Sequence, residues 1–130
     1  MSHIVKAKAT ITYTDKELLI RALTGLGRIA ENERLYRVGP GYTSERYDVV
    51  LIDEQDSKYR LGFSLKGKVW EQYQEEYGSF GPWTKGRSEL IADRYLAYHY
   101  ERELVEQGYE VKMMQQANGA IEIEAVEASW

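Results

Sequence analysis

Residues 47–66 read YDVVLIDEQDSKYRLGFSLK, and this stretch decides the fold. Tyr59, Leu61, Phe63 and Leu65 alternate with Arg60, Gly62, Ser64 and Lys66, the period-two pattern of a strand with one buried and one open face. Just before it, the unbroken apolar run Val49-Val50-Leu51-Ile52 inside Tyr47 to Asp53 is what a strand buried on both sides requires. Glu54 to Ser57 supplies the turn between them.

Working outward, Val5, Ala7, Ala9 and Ile11 alternate with Lys6, Lys8, Thr10 and Thr12 as a first strand. Thr14-Asp15-Lys16-Glu17 then offers a capping box, with the Thr14 hydroxyl serving a backbone N–H and Glu17 reaching back. Leu18, Leu19, Ala22, Leu23 and Leu26 follow at helical spacing on one arc, and Gly25 and Gly27 mark the stop. Residues 28–38 read as a weaker strand and Gly39-Pro40-Gly41 as a loop.

On the C-terminal side, Val69 to Arg87 scatters Trp70, Tyr73, Tyr77, Phe80 and Trp83 among Gly78, Gly81, Pro82 and Gly86. This is too irregular for a long element and too aromatic for an idle loop, so it becomes the leading functional candidate. Ser88 is the expected cap of a second helix that runs to about Gln107 and stops at Gly108. Tyr109, Val111 and Met113 form a strand, Asn118-Gly119 a hairpin turn, and Ile121 and Ile123 alternate with Glu122 and Glu124 in the last strand. The order βαββ-βαββ predicts one α+β domain over residues 1–130: a mainly antiparallel sheet of about six strands with both helices on one face.

Composition narrows function. Hydrophobic residues make up 43% and charged residues 29%, as in ordinary globular chains. There is no cysteine, and His3 and His99 are the only imidazoles, so neither a metal site nor a cofactor is expected. The formal charge of -4 argues against a binder of nucleic-acid polymers. Lysines interrupt every apolar stretch of residues 1–13, which therefore read as neither signal peptide nor membrane span and give a cytoplasmic expectation. Eleven tyrosines and three tryptophans suit cores and binding surfaces alike.

If the helices cover the face bearing Val5, Ile11, Leu61 and Phe63, the opposite face shows Lys6, Lys8, Thr10, Arg60, Lys66, Lys68 and, by the same parity, Trp70. With Tyr73, Trp83 and Arg87 from the aromatic segment, this surface could hold a phosphate-bearing ring by charge and stacking. Ordinary outward alternation of polar residues explains the same pattern. The second helix puts Leu90, Ile91, Ala97, Tyr98, Leu104 and Val105 on one arc with Arg94 and Glu101 inside it. Arg94 is then expected to pair with Glu101, a strand carboxylate or an anionic ligand. His99 lies off that arc, as a surface histidine or an exposed general base. No triad spacing, P-loop or dinucleotide fingerprint accompanies it.

Short matches along the chain carry a family resemblance. They are Met1-Ser2-His3-Ile4, Tyr59-Arg60-Leu61-Gly62-Phe63, Arg94-Tyr95, Ala97-Tyr98-His99, Gly108-Tyr109, Asn118-Gly119-Ala120-Ile121 and Trp130. With these the chain resembles the hypothetical chloroplast reading frame thirty-five family, a short domain of unknown function also found in bacteria and phages. The resemblance implies a shared fold and brings no activity with it. The Gly78 to Arg87 stretch departs from the family pattern.

Three functions follow as expectations. The first is non-catalytic binding of a small anionic, nucleotide-like molecule, for sequestration or sensing, with Lys8, Arg60, Lys66, Lys68, Trp70, Tyr73, Trp83, Arg87, Arg94, Tyr98 and His99 as candidate ligand-binding residues. The second is a protein-interaction adaptor whose exposed aromatics meet a partner or a second copy of the chain. The third is an enzyme acting on a phosphoester through His99, Arg94 or the glutamates Glu71, Glu75 and Glu76.

Overall fold

A computed structural model of the chain describes residues 4–8 and 11–127. Ala9 and Thr10 of the expected first strand, and Met1 to His3 and Trp130 of the family resemblance, lie outside the described residues. The elements in chain order are β1 (Val5–Lys6), α1 (Lys16–Leu23), β2 (Arg28–Glu33), β3 (Tyr36–Arg37), β4 (Gly41–Tyr42), β5 (Tyr47–Ile52), β6 (Arg60–Lys66), β7 (Val69–Gln74), α2 (Phe80–Glu106), β8 (Tyr109–Gln115) and β9 (Ile121–Glu127).

The α+β class and the antiparallel sheet are as the sequence reads; the repeated βαββ order is not. Five strands form one antiparallel sheet in the order β1-β7-β6-β5-β2, while β3-β4 and β8-β9 are separate two-stranded ribbons. The meander β5-β6-β7 is its centre, and the Val49–Ile52 run of β5 is buried on both faces because side chains pack against each. Both helices lie on one face. Leu18, Leu19, Ala22 and Leu23 of α1 and Ile91, Tyr95 and Tyr98 of α2 pack with Val49, Leu51, Leu61, Phe63 and Trp70.

The opposite face is covered as well, which the alternation in β6 concealed. Leu35, arriving from the β2–β3 connection, packs with Tyr47, Val50 and Ile52, and Ala30 and Tyr73 flank them. Gly62 makes this possible: a Cβ there would lie 3.0 Å from the Tyr47 ring and 3.1 Å from Leu35. A residue that reads as solvent-facing is the floor of a second core.

Asp15, not Thr14, caps α1, its Oδ1 accepting from the Leu18 N–H at 3.1 Å. The Thr14 and Asp15 N–H groups instead donate to the Tyr95 hydroxyl, both at 3.1 Å, which ties the start of α1 to the middle of α2. The second helix begins eight residues before the expected Ser88 cap. Pro82 falls in its first turn, where backbone N–H groups have no intrahelical acceptor to lose. Its end at Gly108, with φ at +92°, is as read.

The fold is pinned by Arg94, which is buried on the packed arc of α2. Its Nε donates to the Ala22 carbonyl at 2.8 Å, Nη2 to Thr24 at 2.8 Å and Nη1 to Gly119 at 2.9 Å. The first two are carbonyls at the α1 C-terminus, where the helix presents partial negative charge. Glu101, one of the three partners expected for Arg94, pairs with Arg21 instead at 3.1 Å.

Candidate ligand-binding cleft

The turn between β6 and β7 decides which side chains of β7 face inward. Lys66 pairs with Val69 across the two-residue turn Gly67-Lys68, so Leu65 faces Trp70 and the parity is reset. Trp70, Gln72 and Gln74 therefore share the Leu61–Phe63 face under the helices, and Trp70 is a core residue rather than a neighbour of the basic strand face. Two glutamines are thereby carried into the space between the sheet and α2.

They are buried there, 6% and 7% exposed, in a short network. Gln72 Nε2 donates to Gln74 Oε1 at 2.7 Å and to the Ser88 hydroxyl at 2.7 Å. Among the described residues no group donates to Gln72 Oε1 and none accepts from Gln74 Nε2, although an amide can make up to four hydrogen bonds. Both glutamines wall a cleft of about 720 Å³ between the β1 edge and the first half of α2. The β1 side contributes Val5, Ala7 and Lys8, followed by Ile11 and Tyr13, and α2 contributes Lys85, Ser88 and Ala92. A recess of about 320 Å³ adjoins it, sharing Lys8, Tyr13 and Gln72 and reaching Trp70.

The β1 edge is held by Val5 and Lys6 pairing with Gln74 and Tyr73, and by the Ala7 N–H donating to the Gln72 carbonyl at 2.8 Å. Below the sheet, the Tyr73 hydroxyl donates to Glu71 Oε2 at 2.7 Å, and Lys6 meets Glu71 Oε1 at 3.2 Å. These bonds, first that of Tyr73, hold the Glu71 carboxyl below its usual range, and the same carboxylate pushes the Tyr73 phenol up to about 12. Burial, then the neighbouring Tyr95, raises the Tyr13 phenol. Tyr13 thus stays a neutral aromatic wall, edge-on to Tyr95 at 4.8 Å. Lys8 and Lys85 enter no ion pair among the described residues, whereas Glu76 and Glu89 share the rim with them.

No family model matches this chain, and no curated protein or solved structure matches it. The site therefore rests on its geometry. Of the residues that the sequence singled out, Lys8 and Trp70 reach the cleft and its recess. Tyr73 is on the other face, beside Tyr47. Arg60 is also there, donating to the Ser57 and Arg34 carbonyls and lying 4.8 Å from the Tyr42 ring. Lys66 and Lys68 are exposed at the β6–β7 turn.

Trp83 and Arg87 come together in a different cleft, beside Tyr59 and Asp53. Tyr98 is buried under Arg21, whose guanidinium lies 4.0 Å from its ring centre, and His99 pairs with Glu103 at 3.1 Å on the surface. Gln72, Gln74, Ser88 and Lys85 were not among the candidate ligand-binding residues. The signal that finds them is the parity reset at Gly67-Lys68, after which two amides on an apolar face stand out. Among the described residues no cluster of three or more His, Cys, Asp or Glu is placed to hold a metal ion, and no helix is long and apolar enough to cross a membrane.

Proposed function

We propose that the chain is a non-catalytic binding protein for a small anionic, nucleotide-like molecule, which it holds in the cleft between β1, β7 and α2 for sequestration or sensing in the cytoplasm. The carrying observation is the Gln72–Gln74–Ser88 network in the cleft wall, in which one amide oxygen and one amide nitrogen take no partner among the described residues. A planar ligand edge with a donor beside an acceptor, as on a nucleobase, would engage both. Tyr13, Ile11 and Val5 supply apolar contact for the ring, and Lys8 and Lys85 supply charge for an anionic group at the mouth. On this reading the ligand lies on the helix-covered side of the sheet and not on the Arg60–Lys66 face.

A thermal-shift screen of the full chain against nucleotides and cyclic nucleotides, with mass spectrometry of heat-released small molecules, tests the reading. Wild type is expected to gain several degrees with at least one of them and Gln72→Leu to gain none. A flat screen with nothing released removes the reading.

A second reading, adaptor or self-association, is favoured by one observation. The β8–β9 ribbon leaves Tyr109, Met113, Met114 and Val126 exposed outside the main sheet. A concentration-dependent mass in solution is its test.

A further inference from the structure

The cleft holding Trp83 and Arg87 lies apart from the one beside Gln72 and is bounded by two loops and the first half of α2. Its volume is about 440 Å³, and its walls are Gly25 to Gly27 after α1, Asp53 to Asp56 after β5, Tyr59, and the two α2 residues. Among the described residues, the only buried side-chain nitrogens without a hydrogen-bond partner are Trp83 Nε1 and Arg87 Nε. They stand one helical turn apart, and both residues wall this cleft. The remaining guanidinium nitrogens of Arg87 make no hydrogen bond among the described residues either, and their nearest carboxylate, Asp53 Oδ1, is 3.8 Å from Nη2.

Unpaired buried donors are rare in folded proteins, and two beside one cleft call for an acceptor that enters from the cleft and displaces the atoms covering them. A carboxylate fits both: it can take the forked donors of a guanidinium with one oxygen and an indole N–H with the other. A simple anion does not suit the opposite wall, which carries Asp53, Glu54 and Asp56. A ligand bearing a carboxylate and an ammonium group matches both walls. Asp53 Oδ2 already accepts the Gln55 and Asp56 N–H groups, and Asp56 Oδ1 that of Lys58, so these carboxylates are held in place to meet a cation. We infer that this second cleft binds a zwitterionic α-amino acid. The carboxylate lies on Arg87 and Trp83, the ammonium faces Asp53 and Asp56, and the side chain passes the Tyr59 ring, 5.4 Å from that of Trp83.

The test uses the full chain with the twenty free amino acids at millimolar concentration, read by thermal shift and by the indole N–H signals of the three tryptophans in 15N–1H correlation spectra. At least one amino acid should raise the melting temperature and move the Trp83 indole signal, while its amide and its N-acetyl derivative, each lacking one charge, do neither. Trp83→Phe keeps an aromatic ring and removes the donor, so it should fold and lose at least tenfold in affinity, as should Arg87→Gln. The inference is overturned if no free amino acid produces a shift, if the amide binds as well as the acid, or if binding leaves the Trp83 signal in place.

Discussion

Replacing Arg94 by methionine keeps the length of the buried stem and removes three hydrogen bonds, to Ala22, Thr24 and Gly119. A hydrogen bond from a charged donor contributes roughly 1.5–3 kcal/mol net, so simple addition gives about 4.5–9 kcal/mol as an upper bound. The three bonds share one guanidinium and do not add in full, which leaves a destabilisation of about 2–4 kcal/mol. At about 4 °C per kcal/mol for a domain between the 100- and 200-residue cases, the melting temperature should fall by roughly 8–16 °C. Urea denaturation followed by tryptophan fluorescence measures the loss directly. Arg94→Lys should recover little of it, because one ammonium group cannot reach three carbonyls belonging to α1, its C-cap and the β8–β9 turn. A loss below about 1 kcal/mol in the methionine variant, or full recovery in the lysine variant, would refute the assignment of Arg94 as the tie between these elements.

Other consequences follow from the same packing. Gly62→Ala should cost about 1–3 kcal/mol by crowding Tyr47 and Leu35, and the cost should shrink in a Leu35→Ala background, as a denaturation double-mutant cycle would show. The Asp15 carboxyl is held below its usual range, first by the Arg102 guanidinium at 2.7 Å and then by the Leu18 N–H. Its folded value is depressed, so its contribution is complete above the unfolded value near pH 4 and is lost as the pH falls through the folded one. Asp15→Asn, which still caps the helix, should therefore cost under about 1 kcal/mol at pH 7 and less at pH 2, measured by denaturation at both. Gln72→Leu should leave the unliganded protein within about 1 kcal/mol of wild type, since it exchanges a partly satisfied amide for an apolar group; a larger loss in urea would make the network structural.

The alternations in β6 and the double burial of β5 were legible because each is set by pairing within a continuous run. What escaped depends on residues far apart in sequence. Leu35 covers the second face of the sheet from a connection with no regular pattern, so Gly62 and Ser64 read as solvent-facing although both are buried. Gly81-Pro82 reads as a break, yet the first turn of a helix tolerates it, and the presumed aromatic loop is half strand and half helix. The β8–β9 ribbon has the pattern expected of two sheet strands, but periodicity does not say which sheet a strand joins. Arg94 shows both sides of this: a charge on a packed arc demanded a partner, and the partner proved to be backbone. At the cleft, one turn dipeptide hid the site. Counting parity straight through Gly67-Lys68 turned Trp70 outward and left Gln72 and Gln74 unnoticed.

The most direct test of the ligand-binding account follows the side-chain amide signals of Gln72 and Gln74 in 15N–1H spectra, assigned through their leucine variants, while nucleoside monophosphates are titrated into the full chain. The account predicts that one of them moves both amide signals along a saturable curve, with the Tyr13 ring responding and the His99 ring unmoved. Amide signals that stay fixed through every titration, or a response confined to the exposed β8–β9 ribbon, would contradict it.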